Sequence, residues 1–126
     1  AGSHEYVYLF SVPHLTEDIY NSCRDYALEH GMAKVEPGPT HMYSYITTMF
    51  LCDSCDKAAK KALRKCRIYK SFKMAFWGWM DFHSGLAVLE EGKAFSNASG
   101  KSAAQLLNKT LFCKAKKQLL GKEKTL

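Results

Sequence analysis

MYSYITTMFLCDSCDKAAKKALRKCRIY (42–69) changes character at its middle. Met42 to Cys52 is dense in Tyr, Ile, Thr, Phe and Met, whose branched and aromatic side chains suit a pleated surface, and it reads as a strand. Asp53 or Ser54 then caps a helix to about Tyr69, in which Ala58, Ala59, Ala62, Leu63, Cys66 and Tyr69 share an inward stripe. Lys57, Lys60, Lys61, Arg64, Lys65 and Arg67 fall largely on the outer side, the densest positive charge in the chain. A strand running straight into an amphipathic helix is a unit that must bury one face against a sheet, and the remaining elements are placed around it.

Upstream, Glu5 to Val12 is rich in β-branched and aromatic residues and stops at Pro13, as a strand does. Thr16 caps the next helix, and Glu17 and Asp18 suit its positive end. Leu15, Ile19, Cys23, Tyr26 and Ala27 form its apolar stripe, with Gly31 where a C-terminal cap glycine belongs. Pro37-Gly38-Pro39 makes a turn before the central unit. Downstream, Phe72 to Phe82 reads as a strand, Ser84-Gly85 as a turn, and Leu86–Glu90 and Lys93–Asn97 as strands joined at Glu91-Gly92. Ser99 or Gly100 opens a last helix to about Leu120. The expected fold class is α+β, order β-α-β-α-β-β-β-α, with helices packed on a mainly antiparallel or mixed sheet.

The 126 residues, 47% hydrophobic, supply one core and not two, so a single domain over residues 5–120 is expected, with 1–4 a cloning remnant and 121–126 a frayed basic tail. The longest apolar runs, such as Ala75 to Met80, fall far short of the ~20 residues that cross a bilayer, which excludes a membrane span. Five cysteines at irregular spacing suit reduced thiols and an intracellular location, cytoplasm or nucleus. The sequons Asn97-Ala98-Ser99 and Asn108-Lys109-Thr110 are discounted as glycosylation sites.

The net charge of +6 is strongly segregated. Residues 1–53 hold two basic and seven acidic side chains, whereas residues 54–126 hold sixteen basic and five acidic. Such a concentration makes a polyanion the first partner to consider, because cations that neutralise phosphates release condensed counterions whatever the base sequence. Ser99-Gly100-Lys101-Ser102 invites comparison with a P-loop, but Phe95 stands where that motif needs its first glycine.

Gly92-Lys93-Ala94-Phe95, followed by Gly100-Lys101-Ser102 at a helix start, resembles the end of a double-stranded RNA-binding domain over roughly the final 70 residues. The resemblance is to a diverged member: Ala103-Ala104-Gln105-Leu106 stands where the family carries paired lysines. It implies that His83-Ser84-Gly85 lies in a loop reaching a minor groove and that Lys101 meets phosphate. Cys52-Asp53-Ser54-Cys55 between a strand and a helix resembles a thioredoxin-like layout, which implies a redox pair at Cys52 and Cys55 with a reactive low-pKa thiol at Cys52.

The leading expectation is a non-enzymatic module that binds RNA, structured RNA first, or another polyanion through Lys57, Lys60, Lys61, Arg64, Lys65, Arg67, Lys101, Ser102 and Lys109, with no cofactor and no metal. A protein-interaction or homodimerisation module using the segregated charges is the alternative, and a redox protein using Cys52 and Cys55 the third. Trp77, Trp79, Tyr43, Tyr45 and Phe76 form a lesser candidate, a base-stacking platform on an open sheet face. Zinc bound by Cys52 and Cys55 with Cys66 and His41 or His83 has no support in their spacing.

Overall fold

A computed structural model describes residues 3–39 and 43–113. Its elements follow the expected order: β1 (Ser3–Leu15), α1 (Glu17–Met32), β2 (Tyr43–Cys55), α2 (Lys57–Lys65), β3 (Tyr69–Ser71), β4 (Trp79–Val88), β5 (Lys93–Ser96) and α3 (Lys101–Leu107). A short 3₁₀ turn, Ala98–Gly100, leads into α3, and a π-helical segment, Asn108–Cys113, follows it. The fold is α+β. The continuation of the last helix to Leu120 and the basic tail at 121–126 lie outside the described residues, as do Ala1, Gly2 and His41.

The sheet is mixed, in the order β1-β2-β4-β3. β1, β2 and β4 run parallel, while β3 and β5 both pair antiparallel with the far edge of β4, one beyond the other. Parallel neighbours need a crossover, and α1 supplies it between β1 and β2. Helices α1 and α2 lie on one face, where Leu15, Tyr20, Phe50, Cys52, Ala59, Leu63, Leu86 and Val88 form a buried core. Helix α3 lies on the other face, close against Gly85.

Several expectations are corrected, each for a physical reason. β1 does not stop at Pro13 but runs to Leu15. Proline lacks an N–H, which costs a central strand a ladder bond but costs an outer strand nothing when that position points away from its neighbour. β1 is the outer strand, and Pro13 is skipped in its register with β2. Gly31 is not a cap: it is buried within α1, and a Cβ there would sit 2.8 Å from Ile46 Cδ1. The stripe of α1 is also rotated, with Tyr20 fully buried while Ile19 and Tyr26 are exposed. Thr16 caps as expected, its Oγ1 accepting from the Ile19 N–H at 3.2 Å.

The second helix begins later and ends earlier than its sequence suggests. Cys52 to Cys55 are strand residues, Asp56 takes the N-cap position, and the backbone leaves the helix at Cys66 because Tyr69–Ser71 pair with Trp79–Asp81. Arg67 therefore lies in the connector rather than on the helix. The expected Phe72–Phe82 strand is cut by a turn over residues 72–78, closed by Phe72 N–H to the Gly78 carbonyl at 3.0 Å and Trp77 N–H to the Phe72 carbonyl at 3.1 Å. Lys73, Met74 and Ala75 adopt left-handed φ in this turn.

The turn expected at Ser84-Gly85 does not exist, since both residues are buried in mid-β4. Their smallness serves packing. Ser84 Oγ meets Thr48 Oγ1 at 2.8 Å and Tyr20 Oη at 3.2 Å, and a Cβ on Gly85 would lie 3.1 Å from Ala103 Cβ and 3.2 Å from Leu107 Cδ1. The minor-groove loop implied by the RNA-binding resemblance is thus a strand segment.

Candidate nucleic-acid interface

Asn97 organises the sheet edge where the charged elements meet. β5 ends at Ser96 and β3 lies further along the same edge of β4, which leaves backbone groups of β4 without a strand partner between them. Asn97 is 1% exposed and fills that gap: its Oδ1 accepts from the Ser84 N–H at 3.0 Å, and its Nδ2 donates to the carbonyls of Phe82 at 2.9 Å and Cys66 at 3.1 Å. Gly100 is required beside it, because a Cβ there would collide with Asn97 Oδ1. The glycine read as a phosphate-loop feature therefore serves close approach to a buried amide. The same burial removes Asn97 from the possible glycan acceptors. Asn108 is likewise engaged, its Oδ1 accepting from the Ala94 N–H at 2.9 Å on the outer side of β5.

This edge brings α2, β5 and the start of α3 together. Arg64 of α2, Lys93 of β5 and Lys101 of α3 line one concavity of about 410 Å³ floored by Ala94, Phe95, Ser96 and Asn97. Three cations gather around the Phe95 ring: Lys60 Nζ at 4.2 Å, Lys93 Nζ at 5.4 Å and Arg64 Cζ at 5.8 Å from its centroid. The ring's negative face offsets part of their mutual repulsion. Lys60 is neutralised by Glu91, with Nζ 2.6 and 2.8 Å from its two carboxylate oxygens. Among the described residues, Lys57, Lys61, Arg64, Lys65, Arg67, Lys93 and Lys101 have no carboxylate within ion-pair distance.

Lys57, Lys60, Lys61, Arg64 and Lys65 line a second, shallow concavity along α2 of about 380 Å³. A third, of about 730 Å³, carries Arg64, Lys65 and Arg67 round to Tyr69, Asp81 and Ser99. Arg64 belongs to all three. Ser102 and Lys109 are exposed but line none of these concavities, so those two stand apart from the assembled site. Lys93 and Phe95 are the residues that site selection by charge density overlooks. Lys93 sits in a hairpin whose turn carries Glu90 and Glu91, and nothing in the linear pattern sets it opposite Arg64.

Cys52 and Cys55 are not placed to close a disulfide in this strand. Three residues of extended strand at ~3.3 Å each separate the two Cα atoms by about 10 Å, beyond the ~7 Å that a disulfide spans. Burial pushes the Cys52 thiol up to about 11, and Cys55, Asp53 and Glu91 add to the shift. The folded value lies above that of an unfolded thiol, so the protonated thiol contributes stability that is complete below the unfolded value and fades as pH rises through the folded one. Cys52 is expected to resist iodoacetamide at neutral pH while the urea-unfolded chain is alkylated, as read by mass spectrometry; rapid labelling of native Cys52 would restore the redox reading. Cys23, Cys52, Cys55 and Cys66 are free thiols. Among the described residues no group of three or more His, Cys, Asp or Glu side chains is arranged to hold a metal ion.

One further constellation escapes sequence reading. His14 Nδ1 lies 2.7 Å from Ser54 Oγ and His14 Nε2 2.7 Å from Asp56 Oδ1. His14 and Ser54 are paired in the β1–β2 register, and Asp56 occupies the N-cap of α2 without a side-chain cap bond, its carboxylate being held by the imidazole instead. The three side chains clasp the ends of two parallel strands to the helix start.

A mixed sheet with two helices on one face, a third on the other and, among the described residues, a cluster of cations without carboxylate partners along one edge defines an α+β domain. The chain belongs to the family described as domain of unknown function DUF8052, whose model matches residues 1–109. No curated protein and no solved structure matches it. Among the described residues, no helix is long and apolar enough to cross a membrane.

Proposed function

We propose that this domain is a non-enzymatic nucleic-acid-binding module whose basic edge engages the phosphate backbone. The observation that carries the reading is the convergence of Arg64, Lys93 and Lys101, from three separate elements, on one concavity without an acidic partner among the described residues. Holding like charges together unpaired costs self-repulsion, and an anion in the concavity removes that cost. Arg64 and Lys65 extend the same charge into the two neighbouring concavities, giving a track for successive phosphates rather than a pocket for one. The RNA-binding resemblance agrees in partner and in the use of Lys101. An intracellular location goes with this partner and with the free thiols.

Fluorescence anisotropy with labelled single-stranded RNA, duplex RNA and duplex DNA tests the proposal across a salt series. Affinity is expected to fall steeply, with log K linear in log salt at a slope of about −0.7 to −0.9 per phosphate neutralised. Absence of binding to all three at low salt contradicts it.

A second reading rests on β1. Its outer edge is 13 residues long, and Val7 and Leu9 are 52% and 70% exposed on the sheet face opposite α1 and α2. Natural proteins blunt such edges with charge, bulges or proline, and here Pro13 stands near one end only. Edge-to-edge pairing of two copies fits this strand. A dimer by light scattering that Leu9→Lys makes monomeric supports it, and a monomeric wild-type chain rules it out.

A further inference from the structure

The sheet face that α3 leaves uncovered carries a row of aromatic rings. Tyr43 lies directly across from Trp79 in the register of β2 and β4, and Tyr69 across from Asp81 in that of β3 and β4, so these side chains emerge on one side. Trp79 is the centre: Tyr43 is 4.7 Å away at 39°, Tyr69 5.9 Å away at 36°, and Tyr45 packs edge-on at 5.6 Å. Tyr45 in turn stacks on His83 at 5.0 Å. Tyr43 and Tyr69 are 43% and 58% exposed, a large apolar area to leave in water. Trp77 and Phe76, grouped with these rings in the sequence reading, sit in the turn over residues 72–78 and take no part in the row.

The row continues the basic edge. Tyr69 and Asp81 line the same concavity as Arg64, Lys65 and Arg67. A chain with phosphates on those cations therefore meets rings at the next step, as the backbone and bases of a single strand require. Asp81 and Glu5 lie on the ring side, where Asp81 is 3.4 Å from His83 Nε2 and Glu5 accepts from Thr47 Oγ1 at 2.7 Å. Carboxylates there repel phosphate and hold the backbone to the Arg64–Arg67 side. They also offer acceptors to exocyclic base amines.

We infer that Tyr69, Tyr43 and Trp79 form a stacking platform for the bases of a single-stranded nucleic acid whose phosphates run along Arg64, Lys65 and Arg67. This rests on the nucleic-acid reading of the basic edge and specifies its ligand as single-stranded rather than duplex.

The test compares wild type with Tyr69→Ala, Tyr43→Ala and Tyr69→Phe, using a 12-nucleotide single-stranded RNA, a blunt RNA duplex and inorganic polyphosphate, which has charge but no bases. Both tyrosines are exposed, so folding is checked simply by circular dichroism. Each alanine variant is expected to lose about tenfold in affinity for the single strand, and Tyr69→Phe to restore it, with polyphosphate binding unchanged. In a Trp77→Phe background the remaining Trp79 emission is expected to be quenched by the single strand and not by polyphosphate. If the alanine variants bind the single strand like wild type, or the duplex binds as tightly and just as insensitively to them, the platform is overturned while the basic edge stands. If wild type binds no nucleic acid, the reading beneath it fails and the platform with it.

Discussion

Replacing Arg64, Lys93 and Lys101 together by glutamate is expected to weaken binding of RNA by about a hundredfold or more at low salt and to flatten the salt dependence by about two to three units of slope. Each substitution removes a cation that the fold aims into the same concavity and puts an anion there instead. All three side chains are exposed, so the variant is expected to keep its fold. Lys109→Glu serves as control. It changes net charge by the same increment per residue but lies outside the concavities, and through a Debye length of ~10 Å its effect is expected to stay within about threefold. Lys60→Glu is a poor probe, because Lys60 is already tied to Glu91 and its loss leaves that carboxylate beside the Phe95 cluster. Equal weakening by Lys109→Glu and by any single reversal inside the concavity would mean that net charge alone matters.

Asn97→Ala is expected to cost roughly 3–5 kcal/mol of stability, the largest effect of a single substitution at this edge. One side chain bonds the Ser84 N–H and the carbonyls of Phe82 and Cys66, the first two bonds buried and the third part-buried. Truncation strips partners from buried backbone groups at about 1–3 kcal/mol each, while the Ser99 hydroxyl, 3.1 Å from the Phe82 carbonyl, retains one of them. Asn97→Asp keeps the acceptor for Ser84 but turns a carboxylate toward two carbonyls, and is expected to be no milder. Urea unfolding measures both. A loss below about 1 kcal/mol for Asn97→Ala would show that water replaces the amide and that the end of β5 is not locked to β4 and the Cys66 connector through it.

The order of elements and the α+β class were legible because the strand–helix unit at 43–65 keeps each period long enough to be unmistakable, while the choice between a mainly antiparallel and a mixed sheet was left open. Five of the residues that sequence alone misread are small residues or proline. Pro13, Gly31, Ser84, Gly85 and Gly100 carry the chemistry of turns and caps, yet Gly31, Ser84 and Gly85 serve contacts between elements far apart in the chain, with Ile46, Thr48 and α3, while Gly100 makes room for the buried Asn97 amide and Pro13 sits harmlessly on an outer strand. Local signals are ambiguous wherever a small residue can mean either a bend or a close approach. The basic helix face was visible as a charge run. The concavity was not, because Lys93 joins Arg64 and Lys101 only after β5 folds back on β4, and the tyrosine row needs the parallel register of β2 with β4 and the antiparallel one of β3.

Backbone amide chemical shifts recorded while single-stranded RNA is titrated into isotope-labelled protein test the central claim most directly. The largest shifts are expected at residues 93–101 and around Arg64, with β1 and the outer face of α1 unmoved. Shifts confined to β1 or α1, with residues 93–101 silent, would contradict the assignment of the basic edge as the nucleic-acid interface.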